Sequence, residues 1–269
     1  MNLKIFESSK KINEYHQEYR KARELAKILE YSEYRHFKPV VEKAKLSCVN
    51  SWYNPTDHFE DLLEMVFLGS GAERQIDDIK LTRYACYLIY QNADPSKEIV
   101  ALWQTYFAIQ TRNQELQDQS NEDNQRVHLR NEMKTHNKNL ASTAKEAWVT
   151  NYGDFTDSWY MWLYGGIRQT QIQTKKGLKK DQKILDHMSS EELAANLFRT
   201  TQTNAKIKKE GVRGQDKASL THYEIGKKVR KTIEEIGGNM PESLPAVDHI
   251  KHAQKRLKPS MKKWLQKKR

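Results

Sequence analysis

The apolar positions of the chain change period several times, and each change marks an element. Ile5-Phe6-Glu7 and Glu14-Tyr15-His16-Gln17-Glu18-Tyr19 flank the polar run Ser8-Ser9-Lys10-Lys11. That pattern predicts a small hairpin over 4–20. Ala22, Leu25, Ala26 and Leu29 then share one helical face. A second helix follows, with Ser32 as its expected cap and Phe37, Val40, Val41 and Ala44 as its apolar stripe. Pro39 has to sit in its first turn or kink it. Residues 50–57 read as turns. A hairpin over 64–80 is predicted with Gly69-Ser70-Gly71 at its tip. Thr82 caps a helix over 83–90. Asn92-Ala93-Asp94-Pro95 breaks the chain, with Asp94 and Pro95 in cap and first-turn positions of a long helix reaching about Gln119.

Beyond that point the pattern weakens. Residues 120–147 lack Gly and Pro and read as a mostly solvated helix, and 148–170 as an aromatic, turn-rich boundary. Ser189 and Glu192 form a capping box that opens a helix burying Leu193, Leu197 and Phe198 and stopping near Gly211. A further helix spans about 217–236 and closes at Gly237-Gly238, with Pro241 shortly after. The charged tail 258–269 is expected to be mobile. The fold class expected is α+β: a small mixed head over 1–119, a connector over 120–159, a basic helical domain over 160–250 and a basic tail over 251–269.

Charge sharpens this division. The chain of 269 residues carries a formal +11. Residues 1–56 contribute +4, residues 57–159 contribute −7 and residues 160–269 contribute +14. A cationic excess gathered in one region attracts polyanions by releasing their counterions. An acidic protein partner would need the same charges. Lys175-Lys176-Gly177-Leu178-Lys179-Lys180 and Lys227-Lys228-Val229-Arg230-Lys231 are the densest clusters, and Lys227, Arg230 and Lys231 share a helical face.

Other chemistry is sparse. No apolar window is long enough for a membrane span, and charges interrupt every apolar run of the first 30 residues, so neither a span nor a secretory signal is expected. Cys48 and Cys86 sit in apolar contexts and read as buried thiols in a reducing, cytoplasmic compartment. No phosphate-cradling glycine loop or nucleophile elbow occurs, and the nine histidines do not combine with the cysteines at metal spacings. No cofactor, metal or catalytic residue is expected. The adjacent pairs Asp77-Asp78 and Glu122-Asp123 diverge and read as acidic surface. His58 and His187, each following an acidic residue, read as structural.

Several long motifs resemble those of one family. Ala22-Arg23-Glu24-Leu25-Ala26-Lys27-Ile28-Leu29 with Tyr31-Ser32-Glu33-Tyr34-Arg35-His36-Phe37 looks like the start of a BRO-N type domain. Leu81-Thr82-Arg83-Tyr84-Ala85-Cys86-Tyr87-Leu88-Ile89, Gln91-Asn92-Ala93-Asp94-Pro95 and Gln104-Thr105-Tyr106-Phe107-Ala108-Ile109-Gln110-Thr111-Arg112 are similar to the DNA-damage-inducible protein D (DinD) family. So are Leu163-Tyr164-Gly165-Gly166, Glu192-Leu193-Ala194-Ala195-Asn196-Leu197-Phe198-Arg199 and Ile236-Gly237-Gly238-Asn239-Met240-Pro241-Glu242. The resemblance covers about 12–250. It implies a bacterial SOS-response protein that binds DNA, single-stranded in preference, or RecA filaments, and that restrains RecA without an enzymatic step. Arg35, Lys38, Lys43, Lys45 and Arg83 are the candidate DNA-facing groups of the head. Lys175, Lys176, Lys179, Lys180, Arg199, Lys227, Lys228 and Arg230 are those of the C-terminal region. A sequence-specific transcription regulator or phage-type antirepressor and a metal-dependent nuclease stand as alternatives.

Five tryptophans, Trp52, Trp103, Trp148, Trp159 and Trp162, stand where the resembled family carries glycine, and so does Glu30. Glycine is scarce, at 11 residues. One cause would account for all five tryptophans: UGA codons that encode glycine in the source and are read here as tryptophan. Trp264 is a sixth candidate. The alternative is divergence that placed aromatics on a stacking surface. UGG codons at these positions would exclude recoding.

Overall fold

The computed structural model describes residues 3–67 and 73–266, and their side chains outside 3–5, 158–159 and 259–266. The expected hairpin tip Gly69-Ser70-Gly71 lies outside the described residues. The architecture is α+β: a four-stranded antiparallel sheet near the N-terminus, then a mostly helical region. The chain divides into two compact units, Met1–Gln114 and Glu115–Arg269.

The first unit begins with a helix, α1 (Leu3–Ser8), where the apolar pattern predicts the first arm of a hairpin. One apolar anchor carries no period, and the burial of Phe6 decides the outcome. Its ring meets Tyr90 and Trp103 edge-on at 5.7 and 5.3 Å. The hairpin proper is β1 (Lys11–Ile12) and β2 (Glu18–Lys21). Helix α2 (Ala22–Ile28) buries Ala22, Leu25 and Ala26. Helix α3 (Tyr34–Asn50) buries Phe37, Val40, Val41, Ala44 and Cys48. Its N-cap is Glu33 rather than Ser32, and Pro39 sits inside the helix beyond the first turn. Strands β3 (Phe59–Phe67) and β4 (Glu73–Leu81) pair from Phe59↔Leu81 to Phe67↔Glu73, giving the sheet order β1-β2-β4-β3.

Thr82 caps α4 (Arg83–Asn92), its side chain accepting from the Ala85 N–H. Asp94 and Pro95 then form a turn, with the Asp94 carboxylate accepting from the Ser96 N–H, and the next helix begins only at Glu98. The core of this unit joins Leu25, Phe37, Val41, Cys48, Leu81, Cys86, Ile89 and Trp103. Both cysteines are free and buried, and burial pushes the Cys86 thiol up to about 12.

Helix α5 (Glu98–Glu146) continues without a break where the sequence predicts two helical stretches. Its later part is not simply solvated. Asp123, Arg126, Met133, Leu140, Thr143 and Ala144 are buried in the second unit. The expected boundary over 148–170 contains α6 (Tyr152–Leu163), capped by the Asn151 side chain on the Asp154 N–H. Phe155, Tyr160 and Leu163 of this helix are core residues. Its aromatic content reflects burial, not a loop.

After α7 (Gln169–Lys175) come α8 (Ser190–Lys209) and α9 (Gln215–Glu235). Ser189 accepts from the Glu192 N–H at 3.2 Å, as its capping pattern predicts. Leu193 is buried and Leu197 packs against the core, but Phe198 points outward and is 57% exposed. Gly237, at φ 71°, closes α9 with its N–H donating to the Glu234 carbonyl. Helix α10 (Ile250–Gln266) occupies much of the expected mobile tail, with Ile250 and Ala253 buried. None of the described helices is long and apolar enough to cross a membrane.

Candidate nucleic-acid interface

The thirteen candidate cations divide by what lies beside them. In the first unit Arg83 is fully engaged. Its guanidinium donates to Glu18 at 2.5 Å, to Glu7 at 2.8 Å and to the Tyr87 hydroxyl at 3.1 Å. These bonds to Glu18, Tyr87 and Glu7 push the Arg83 pKa upward. Arg35 is exposed and paired with Glu33 at 2.7 Å, and half-buried Lys45 pairs with Glu42 at 3.2 Å. Lys38 and Lys43 are exposed. Lys38 stands over the Tyr34 ring at the rim of a cavity of about 360 Å³ that also takes in Glu42, Asp61, Asp77 and Asp78. That recess is predominantly acidic, an unfavourable place for a phosphate.

In the second unit two candidates are buried, and the expectation that they face DNA does not survive. The Lys176 ammonium is enclosed between the Glu192 carboxylate at 3.0 Å and the Leu244 carbonyl at 2.8 Å. Glu192 also accepts from the Tyr164 hydroxyl at 2.6 Å. Burial raises the Glu192 pKa and Lys176 opposes that rise. Arg199 is fully buried beside His222 and donates to the Thr200 hydroxyl at 3.0 Å. Burial brings the Arg199 pKa down to about 9 and holds His222 neutral.

Arg230 is half-buried and bidentate on Glu242, at 2.7 and 2.8 Å. Like Arg83 in the first unit, it is a paired and partly exposed cation rather than a loose one. Lys175, Lys179, Lys180, Lys227 and Lys228 remain exposed, with no ion pair among the described residues. Lys231, outside the candidate set, is exposed on the same helical face as Lys227 and Arg230, so the helical spacing also points to it.

The residues read as structural have identifiable tasks. The Asp78 carboxylate accepts from the N–H groups of Arg23 and Ile79, and Glu122 accepts from the Ser190 N–H and hydroxyl. Asp123 is buried, not surface, and binds Arg256 at 2.6 and 2.8 Å. The His58 ring meets the Thr82 hydroxyl at 3.0 Å, and the His187 ring meets the Val247 carbonyl at 3.0 Å. Among the described residues no three His, Cys, Asp or Glu side chains gather as a metal site requires.

A family model for the DinD C-terminal domain matches residues 120–253, the greater part of the second unit. The DNA damage-inducible protein D of Escherichia coli (strain K12) is 54% identical over 248 residues, covering 89% of this chain and 90% of that relative. The chain belongs to the DinD family. A DNA-damage-response role follows from membership in the DinD family. The match also places the exposed Lys175, Lys179, Lys180, Lys227 and Lys228 inside the DinD C-terminal domain.

Proposed function

We propose that this chain acts in the DNA-damage response by binding DNA, RecA nucleoprotein filaments or both, and that it modulates RecA without a chemical step. One observation carries the reading. Once the cations held by carboxylates or buried are set aside, five of the seven exposed candidates without an ion pair among the described residues lie in the DinD C-terminal domain, in the region of highest positive charge. Clustered, unengaged ammonium groups favour a polyanion over a small ligand, because each displaces counterions. DNA and a DNA-coated filament both offer that surface.

The test is a titration of the full chain against bare single-stranded DNA, duplex DNA and RecA-coated DNA across a salt series. Binding to single strands or to filaments that weakens steeply with salt supports the reading. Tight binding to one duplex sequence that persists at raised salt would transfer support to a transcription regulator. Metal-dependent cleavage would transfer it to a nuclease.

A further inference from the structure

The end of α6 and the outward stripe of α9 enclose an open groove of about 600 Å³ in the second unit. Trp162, Gly165, Gly166, Lys227, Arg230 and Lys231 line it. Arg230 forms part of the floor, since Glu242 and the Leu163 carbonyl occupy its guanidinium. Gly165 lies over that ion pair with φ 66°, where an added Cβ would stand 3.1 Å from Glu242 Oε1 and 3.2 Å from Arg230 Nη2. At Gly166, φ 91°, the space where a side chain would project is open. The backbone therefore comes to the groove uncovered.

Lys227 and Lys231 stand one helical turn apart at the rim, both exposed. Lys227 has no ion-pair partner among the described residues, and Lys231 shares only the exposed Glu235, at 3.3 Å. Tyr223, one turn before Lys227, extends the stripe, with its ring 4.2 Å from that of Trp162. Glu234 is the carboxylate of the lining that opposes an anion, and it marks one end of the groove.

We infer that this groove binds single-stranded DNA, with phosphates on Lys227 and Lys231 and a base over the glycine turn against the Trp162–Tyr223 rings. The inference rests on the proposed function and narrows it to one strand and one place. Two ammonium groups one turn apart suit successive phosphates of a flexible strand. A glycine and aromatic floor suits the face of any base, so little sequence preference follows. A duplex keeps its bases stacked inside and cannot put one into a recess without extruding it. The lysines serve whether position 162 is tryptophan or glycine, and Tyr223 lies behind the indole, its ring 4.2 Å from that of Trp162.

The experiment measures fluorescence anisotropy of labelled oligothymidine with the full chain across a salt series. It compares wild type, Lys227→Gln/Lys231→Gln and a control outside the candidate set, Lys208→Gln/Lys209→Gln. All four lysines are exposed, so both variants should keep wild-type circular dichroism and melting temperature, which is measured alongside. The groove variant should bind at least about tenfold more weakly at low salt. Its log–log salt slope should be shallower by about 1.4, near 0.7 for each single-strand phosphate that the variant leaves unneutralised. The control should retain most of the affinity, and duplex of equal length should compete poorly. Three results overturn the groove: unchanged binding by its variant, equal competition by duplex, or wild-type binding only to RecA-coated DNA. Failure of wild type to bind bare or RecA-coated DNA is a different result, and it overturns the proposed function itself.

Discussion

Trp52 and Trp148 adopt φ of 65° and 64°, the left-handed region in which a side chain crowds its own carbonyl. Glu30 does the same at 59°. All three follow helices, at positions where glycine ordinarily closes the last turn. Trp52 is 97% exposed and Trp148 69% exposed, so little packing offsets the strain. Trp52→Gly and Trp148→Gly should each raise stability by about 1 kcal/mol, the left-handed cost less the entropy of glycine. A denaturant midpoint measures this, and a fall would contradict it. Recoded UGA would account for both positions. Trp103 differs, being buried and stacked on Tyr90 at 4.7 Å. Its replacement by glycine would empty an aromatic core, so the codon at 103 is the most informative of the five.

Lys176 is also argued at this scale. With Glu192 buried beside it, Lys176→Met strands a carboxylate in the core. The variant should lose about 3–5 kcal/mol, while Lys179→Met should change stability by less than about 0.5 kcal/mol. Comparable thermal melts for the two would place Lys176 on the surface after all.

Among elements, α10 is held to α5 by charge. Arg126 donates to the Met188 carbonyl at 3.0 Å and to Asp248 at 2.9 Å, while Arg256 bridges Asp123 and Asp248. Hydrogen bonds from Arg256, with help from Arg126, hold the Asp248 carboxyl down at about 2, below its ordinary 3.8. A carboxyl so lowered stabilises while ionised. Its contribution is full above the ordinary aspartate range and fades as pH falls from about 4 through about 2. Asp248→Asn should therefore be less stable at neutral pH and lose less stability across that window. Equal acid slopes in circular dichroism melts would contradict the clasp.

The elements legible in the sequence are those with local signals. Thr82, Ser189 and Gly237 mark helix ends through bonds only three residues long, and α2, α3, α8 and α9 carry regular apolar spacing. The later half of α5 and helix α10 escape a pattern of this kind because charged residues provide much of their packing, and charge reads as solvent exposure. The same limit applies to the site. Arg83 meets Glu18, Lys176 meets Glu192, Arg199 meets His222 and Arg230 meets Glu242, each across at least a dozen residues of chain. No spacing rule reaches that far.

For the whole molecule, the formal +11 does not say which cations a polyanion meets. Arg83, Lys176, Arg199 and Arg230 are committed internally, and Lys38 and Lys45 border an acidic recess. Binding should therefore track the second unit. Neutralising Lys38 and Lys43 together should change affinity for single-stranded DNA by less than about threefold. Neutralising Lys175, Lys179 and Lys180 should flatten the salt slope by at most about 2. Anisotropy across salt separates these, and a dominant effect from the head pair would relocate the interface.

The clasp has a consequence for synthesis. Asp123 emerges from the ribosome 133 residues ahead of Arg256, its partner in the folded chain. At 5–20 residues per second, that interval is on the order of ten seconds. Throughout it, Asp123 and Arg126 have each other at 3.9 Å but lack the closer partners Arg256 and Asp248. The first unit, whose residues are already made, is free to fold, whereas the second must wait for its last helix. A nascent chain halted near residue 240 should therefore present a protease-resistant head and a protease-sensitive remainder.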